Sequence, residues 1–184
     1  MNIVAIVGGP RVEGNTSYLV DQALAEAQKL GIEVEKIMLT NYEIAFCQGH
    51  DDCESQPICK LKDDCNSIIE KFRTADGVIL ASPVHNINVS VQLKAFIDRT
   101  RFLRSHNLKI EARYAGLMAI AANAGMEETL TILKRYLESR SNIPPDRILT
   151  LGGRARNMGD AEKNATLVEE ACHLGRQMAE KLMS

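Results

Sequence analysis

Short apolar segments alternate with amphipathic helical patterns along the whole chain, and this alternation constrains the fold most. Apolar runs suited to buried strands cover residues 2–8, 32–39, 77–83, 114–122 and 146–153. Each is followed by a helical pattern, at about residues 15–30, 65–75, 90–102, 126–140 and 160–183. Strands separated by helices pair in parallel, with helices on both faces of the sheet. The sequence therefore predicts an α/β fold with a five-stranded parallel sheet.

Composition narrows the class of protein. The 184 residues are most simply one domain spanning residues 1–184, with 45% hydrophobic and 25% charged residues. Lys and Arg total 22 against 24 acidic residues, so no basic surface for nucleic acid is expected. The first ten residues lack the basic lead-in and cleavage site of a signal peptide, and no apolar run approaches a membrane span. We expect a cytoplasmic protein with reduced thiols and no membrane or nucleic-acid partner.

The loop after the first strand, "GGPRVEGNT", has the features of a phosphate site. Gly9 to Thr16 follows the Walker A pattern G-x-x-x-x-G-N-T, with Asn15 where the lysine belongs. Without that lysine, hydrolysis of nucleoside triphosphates is not expected. Backbone amides at a helix N-terminus suit a single phosphate, with Arg11, Asn15 and Thr16 as side-chain donors. The alternative is a tight turn that only begins a helix.

Two later strand-to-helix loops also suit ligand binding, because ligands of open parallel sheets bind beyond the carboxyl ends of the strands. In "SPVHNINVS", Pro83 fixes the chain, so that the peptide groups of 84–87 are presented rigidly to the edge of a planar heterocycle. In "AANAGMEET", Asn123 and Gly125 permit a close backbone approach. Each loop alone also fits a plain strand-to-helix turn.

Taken together, "GGPRVEGNTSYLVDQAL", the cysteine-rich segment, "ADGVILASPVHNINVSVQLKAFIDRT" and "AANAGMEET" resemble the NAD(P)H-dependent FMN reductase and iron–sulfur flavoprotein families of the flavodoxin-like fold. The resemblance runs in the same order from the first strand to about residue 130. It implies sheet order 2-1-3-4-5, bound FMN, NAD(P)H as co-substrate and a homodimer or homotetramer.

The resemblance also assigns FMN contacts to the three loops. The residues that it places around the phosphate, along the isoalloxazine and at the closing edge of the pocket are Gly9, Pro10, Arg11, Asn15, Thr16, Pro83, Val84, His85, Asn86, Ile87, Asn123 and Gly125. Two of these positions depart from the family's usual residues, since Gly9 replaces a serine and His85 replaces a tyrosine. The cofactor supplies the redox chemistry, so no catalytic acid–base pair is expected of the protein.

Four of the five cysteines lie in "CQGHDDCESQPICKLKDDC", within a loop at about residues 45–65. Iron–sulfur members of the resembled family carry four cysteines spaced C-x-x-C-x-x-C-x(4–7)-C. Cys47, His50, Cys53 and Cys59 fall on that spacing, with His50 at the second position. Histidine can ligate a cluster iron or complete a Cys3His zinc site. Related reductases have a similar loop without a cluster, so a [4Fe–4S] cluster, zinc and a metal-free loop stay open, and we favour the metal-free loop.

Two smaller features leave alternatives open. Cys65 stands at the start of a predicted helix, where a thiol is either activated by the helix N-terminus or packed in the core, and packing is the expectation. Arg154 and Arg156 in "GGRARNMGD" fit either a contact to a dinucleotide phosphate or an exposed loop.

The leading functional hypothesis is an FMN-dependent enzyme that passes electrons from NAD(P)H to an acceptor. The alternative from another class is a non-enzymatic electron carrier that holds FMN and an iron–sulfur cluster. A third is a regulatory protein with weak FMN affinity, for which Gly9 is the motive.

Overall fold

A computed structural model describes residues 1–56 and 58–184, apart from the side chain of Asp52. Its strands are β1 (Asn2–Val7), β2 (Glu33–Met38), β3 (Gly77–Pro83), β4 (Tyr114–Ala121) and β5 (Ile148–Arg154). They form one sheet in the order β2-β1-β3-β4-β5, and every neighbouring pair is parallel. The predicted flavodoxin-like order is therefore confirmed.

Helices cover both faces of this sheet. They are α1 (Asn15–Lys29), α2 (Cys65–Thr74), α3 (Val91–Arg99), α4 (Arg101–Ser105), α5 (Met126–Arg140), α6 (Asp160–Lys163) and α7 (Ala165–Met183). Residues of α1, α6 and α7 pack on one face, and residues of α2 to α5 pack on the other. Within residues 1–56 and 58–184, no helix is both long and apolar enough to cross a membrane.

Two predicted helices are each divided in two. The pattern at 90–102 is interrupted at Thr100, whose hydroxyl donates to the carbonyl of Ile97 at 2.7 Å. The pattern at 160–183 is interrupted at Asn164, whose side chain accepts from the N–H of Leu167 at 3.1 Å and caps α7. Asn is among the preferred N-capping residues. Its side-chain hydrogen bond therefore starts a new helix at a point where the apolar periodicity predicts a continuous one.

Side chains of the central strands alternate between two buried layers. In β1, Ile3, Ala5 and Val7 pack toward α1 and α7, whereas Val4 and Ile6 pack toward the opposite layer. Burial on both faces explains why the sequences of β1, β3 and β4 are nearly continuous apolar runs.

Helices α1 and α7 pack closely because Gly175 has no side chain. A Cβ atom on Gly175 would lie 1.9 Å from the carbonyl oxygen of Ala23 in α1, well inside van der Waals contact. Gly175 is therefore required for the two helices to pack at this distance.

Replacing Gly175 by Ala should force α1 and α7 apart and lower the free energy of unfolding by at least about 2 kcal/mol, because overpacking a rigid core is destabilising. Urea denaturation measures this change. Gly152→Ala is a matched control, since its Cβ would lie 3.5 Å from Leu130, an ordinary contact. Equal stability losses in the two variants would contradict the assignment.

Candidate functional site

The three loops named from the sequence lie at one edge of the sheet, beyond the carboxyl ends of β1, β3 and β4. They border an open cavity of about 290 Å³. Its lining residues are Gly9, Pro10, Arg11, Gly14, Asn15, Thr16, Pro83, Val84, His85, Ile120, Ala122, Ala155 and Arg156. Eight of the twelve residues predicted to contact FMN are in this set.

The other four predicted residues are not in the cavity lining. Asn86 and Ile87 continue the loop after β3, and Gly125 packs against it, since a Cβ on Gly125 would lie 2.9 Å from Cα of Ile87. Asn123 is exposed in the loop after β4. Four lining residues were not predicted from the sequence, namely Gly14, Ile120, Ala122 and Ala155, and Arg156 had two alternative roles.

The first loop ends at an open helix N-terminus. The N-cap of α1 is Gly14, and within the described residues no side chain caps this helix. Asn15, Thr16 and Ser17 form the first turn of the helix. The backbone N–H groups of a first turn have no carbonyl acceptor within the helix. Together with the helix dipole, they favour an anion.

The side chain of Asn15 faces the loop between β5 and α6. Its Nδ2 donates to the carbonyls of Asn157 at 2.8 Å and Ala155 at 3.4 Å. Its Oδ1 accepts from the N–H of Ala161 at 3.1 Å. The carboxamide therefore joins the start of α1 to a segment about 140 residues later in the chain.

A serine network joins the first loop to the second. The Ser90 hydroxyl donates to the carbonyl of Gly8 at 2.6 Å, and the Ser90 N–H donates to Ser82 Oγ at 2.9 Å. Ser82 Oγ in turn donates to the carbonyl of Pro83 at 2.7 Å. Both serines are fully buried, so the network fixes the two loops against each other.

The second loop contains a tight turn at 85–88. The N–H groups of His85 and Asn88 each donate to the other residue's carbonyl, at 2.9 and 3.0 Å. Asn86 and Ile87 have φ angles of 49° and 62°, as in a type I′ turn. A β-branched residue is rarely found in this region of φ, and such strain is typical of ligand-binding loops. The turn's own hydrogen bonds use only the peptide groups of His85 and Asn88.

A buried ion pair holds the two ends of the cysteine-rich loop together. The guanidinium of Arg99 donates to the Asp63 carboxylate at 2.5 and 3.0 Å and to the carbonyl of Ala45 at 2.9 Å. Asp63 also accepts from the N–H groups of Ala45 and Cys65, at 2.9 and 3.1 Å. Residues 45 and 63–65 are thus fixed at one point.

Burial and charge shift the pKa values around this ion pair. Burial alone would raise the pKa of Asp63, but hydrogen bonds from Arg99, Ala45 and Cys65 hold it below its ordinary value. Burial raises the pKa of Cys65 to about 12, more than the nearby Arg99 lowers it. Cys65 is therefore a neutral thiol packed in the core, rather than a reactive group at the start of α2.

The predicted metal ligands are not gathered into one site. Cys47 is exposed, whereas Cys53 and Cys59 are half-buried against the core. In the described part of the chain, no three His, Cys, Asp or Glu side chains lie close enough to hold a metal ion. Among the described residues, Cys47, His50, Cys53 and Cys59 therefore do not form a preformed site for zinc or a cluster.

Replacing Asp63 by Asn should lower the free energy of unfolding by about 3 kcal/mol near pH 7, because it leaves Arg99 buried without a counter-charge. Asp63 has a depressed pKa, so its contribution is full above the ordinary Asp value of about 3.9 and is lost as the pH falls through the folded value. The difference in free energy of unfolding between wild type and Asp63→Asn should therefore decrease below about pH 4.

Urea denaturation from about pH 3 to 8 tests this dependence. Asp98→Asn is the matched control, because Asp98 forms an exposed ion pair with Lys94 and should change stability by less than about 1 kcal/mol. A gap between wild type and Asp63→Asn that stays constant down to pH 3 would contradict the assignment.

Comparison with known proteins places this chain in a family. A family profile described as NADPH-dependent FMN reductase matches residues 1–152. An iron-sulfur flavoprotein of Methanocaldococcus jannaschii is 35% identical over 187 residues, covering 98% of this chain and 96% of the relative. An iron-sulfur flavoprotein of Archaeoglobus fulgidus is 32% identical over 185 residues, covering 100% of this chain and 81% of the relative.

A solved flavodoxin from the domain Archaea superposes with a TM-score of 0.65 over 100% of both chains, at 10% sequence identity. At that identity the likeness concerns the fold alone, and it agrees with the observed strand order. The extent of the profile match and the identity to relatives along nearly the whole chain decide the assignment: this chain belongs to the NADPH-dependent FMN reductase family.

Proposed function

We propose that this protein is an FMN-dependent oxidoreductase that passes electrons from NAD(P)H to an acceptor. The observation that carries the proposal is one cavity bordered both by the open N-terminus of α1 and by the segment 83–85. Such a cavity suits a ligand with a phosphate at one end and a planar polar ring at the other.

The glycines of the site support the fit to FMN. A Cβ on Gly8 would lie 2.6 Å from Ser90 Oγ, and a Cβ on Gly14 would lie 3.1 Å from the carbonyl of Arg11. Gly125 has a φ of 94° and contacts the turn at Ile87. Side chains at these positions would displace the three loops, so the glycines preserve the space between them.

In this proposal Gly9, Pro10, Arg11, Asn15 and Thr16 of the first loop surround the phosphate, and the later loops orient the ring. The ring contacts are assigned to Pro83, Val84, His85, Asn86, Ile87, Asn123 and Gly125. Bound FMN supplies the hydride and electron transfer. The chain's own part is to bind the phosphate, to hold the ring edge against rigid peptide groups and to leave one face accessible.

The accessible face favours an enzyme. No Phe, Tyr or Trp occurs in residues 8–16, 82–90 or 122–127. A flavin bound by these loops would have no Phe, Tyr or Trp side chain from them on its outer face, which leaves room for a nicotinamide and then for an acceptor. We propose these two small molecules as partners, and a homodimer or homotetramer as the assembly.

The second candidate is an electron carrier that holds FMN and an iron–sulfur cluster. Two observations favour it: the M. jannaschii and A. fulgidus relatives are iron-sulfur flavoproteins, and Cys47, His50, Cys53 and Cys59 have the spacing of cluster ligands. Against it stands the separation of these side chains in the described structure. Iron and sulfide counted in anaerobically purified protein, with Cys53→Ala as the control, distinguish the two forms.

The enzyme hypothesis predicts that FMN-loaded protein is reduced by NADPH or NADH under anaerobic conditions within seconds. Stopped-flow absorbance measures the loss of the oxidised-flavin band, and steady-state assays with a free quinone measure turnover. Flavin that is reduced by dithionite but by neither nicotinamide would contradict the enzyme and support the carrier.

Restoring the family's serine at Gly9 should tighten FMN binding about tenfold, because a hydrogen bond to a charged phosphate contributes about 1.5 kcal/mol. The space exists, since a Cβ on Gly9 would lie 3.9 Å from both the carbonyl of Arg11 and Cδ of Pro83. Isothermal titration of FMN and of riboflavin measures the effect.

Gly9→Ala is the matched control, because it adds the Cβ without the hydroxyl. Its FMN affinity should stay within about twofold of wild type, which corresponds to less than about 0.5 kcal/mol. If Gly9→Ala and Gly9→Ser raised FMN affinity equally, the phosphate would not lie at Gly9. The same conclusion would follow if Gly9→Ser raised the affinities for riboflavin and FMN equally.

A further inference from the structure

The loop between β5 and α6 reaches the candidate phosphate site from outside the part of the chain that the family profile matches. That match ends at residue 152, whereas Ala155 and Arg156 line the same cavity as Gly9 and Arg11. The loop comes from the edge strand of the sheet and crosses to the N-terminus of α1.

This loop is held firmly in place. Its start is fixed by the N–H of Ala155, which donates to the carbonyl of Ala121 at 2.9 Å. Its end is fixed by the Asp160 carboxylate, which accepts from the N–H of Asn157 at 2.7 Å. Between these points, the three hydrogen bonds of Asn15 attach it to α1. The position of Arg156 beside the cavity is therefore determined by the fold.

The charge of Arg156 is available to a ligand. No acidic side chain in the described residues forms an ion pair with Arg156, and the lining of the cavity has two charged members, Arg11 and Arg156. Guanidinium groups bind phosphate oxygens through pairs of parallel N–H donors. Two such groups beside an open helix N-terminus suit a doubly charged phosphate.

We propose that Arg156 binds the phosphate group of the flavin and that Asn15 is a positioning residue that holds Arg156 in place. This inference rests on the proposed function and adds to it a contact that the family match does not include. Asn15 occupies the position of the Walker lysine, but its carboxamide is used by Ala155, Asn157 and Ala161. It acts on the phosphate through Arg156.

Arg154 provides a matched control. It is the last residue of β5, exposed and two residues from Arg156, yet it does not line the cavity. Arg154→Ala and Arg156→Ala change the net charge equally, so a long-range electrostatic effect would appear in both variants. Loss of a direct contact to the phosphate would weaken FMN binding in Arg156→Ala alone.

The experiment is titration of FMN and riboflavin into wild type, Arg156→Ala, Arg154→Ala, Asn15→Ala and the double variant Asn15→Ala/Arg156→Ala. Arg156→Ala should weaken FMN binding about 10- to 100-fold, the loss expected for a charge-assisted contact, with riboflavin binding unchanged within about twofold. Arg154→Ala should stay within about twofold of wild type for both ligands.

The double-mutant cycle separates a positioning residue from a direct donor. Asn15→Ala should weaken FMN binding at least about fivefold in wild type but less than about twofold in the Arg156→Ala background, because coupled residues are not additive. Hydrogen exchange should also become faster in residues 155–161 of Asn15→Ala without flavin, a readout independent of binding.

Each outcome decides the proposal. Unchanged FMN affinity in Arg156→Ala, or equal losses in the two arginine variants, would overturn the contact while leaving FMN binding intact. If the losses of FMN binding free energy in Asn15→Ala and Arg156→Ala added up in the double variant, the positioning role of Asn15 would be overturned. Wild-type protein that binds riboflavin as tightly as FMN would overturn both this inference and the proposed phosphate site.

Discussion

The hydrogen bond from Ser90 Oγ to the carbonyl of Gly8 is the contact on which the geometry of the candidate site depends. It joins the loop after β1 to the loop after β3, and it is buried, so water does not compete for it. Gly8 permits this contact, because any side chain there would displace Ser90. The loop after β1 and the turn at 85–88 are therefore held in one fixed relation, and a ligand that bridges them meets preorganised peptide groups.

Helix α3 links this site to the cysteine-rich loop. Ser90 caps its start, and Arg99 at its end binds Asp63 and Ala45. Nine residues of helix span about 14 Å, so one rigid element connects the loops of the candidate site with the base of the segment that contains Cys47 to Cys59. Removing either partner of a buried ion pair is strongly destabilising. Arg99 and Asp63 are therefore both required for stability, even where the loop holds no metal.

The sequence predicted the sheet well because its signal is local. Apolar runs, and the apolar–polar alternation of the second strand, located every strand within two residues, and the order of strands and helices along the chain predicted the parallel topology. The division of helices at Thr100 and Asn164 was missed, since single hydrogen bonds decide it. The role of Asn15 was also beyond reach, because its partners lie about 140 residues away and become neighbours only when α6 packs against α1. Arg156 was noticed, but sequence alone does not place it beside the first loop.

The most direct measurement is a crystal structure of the protein with FMN. We expect the phosphate oxygens to lie within hydrogen-bonding distance of the amides of Thr16 and Ser17 at the start of α1. We also expect the ring edge to lie along residues 84–88. FMN bound with its ring at the first loop and its phosphate toward Gly125, or bound away from the carboxyl edge of the sheet, would contradict the account.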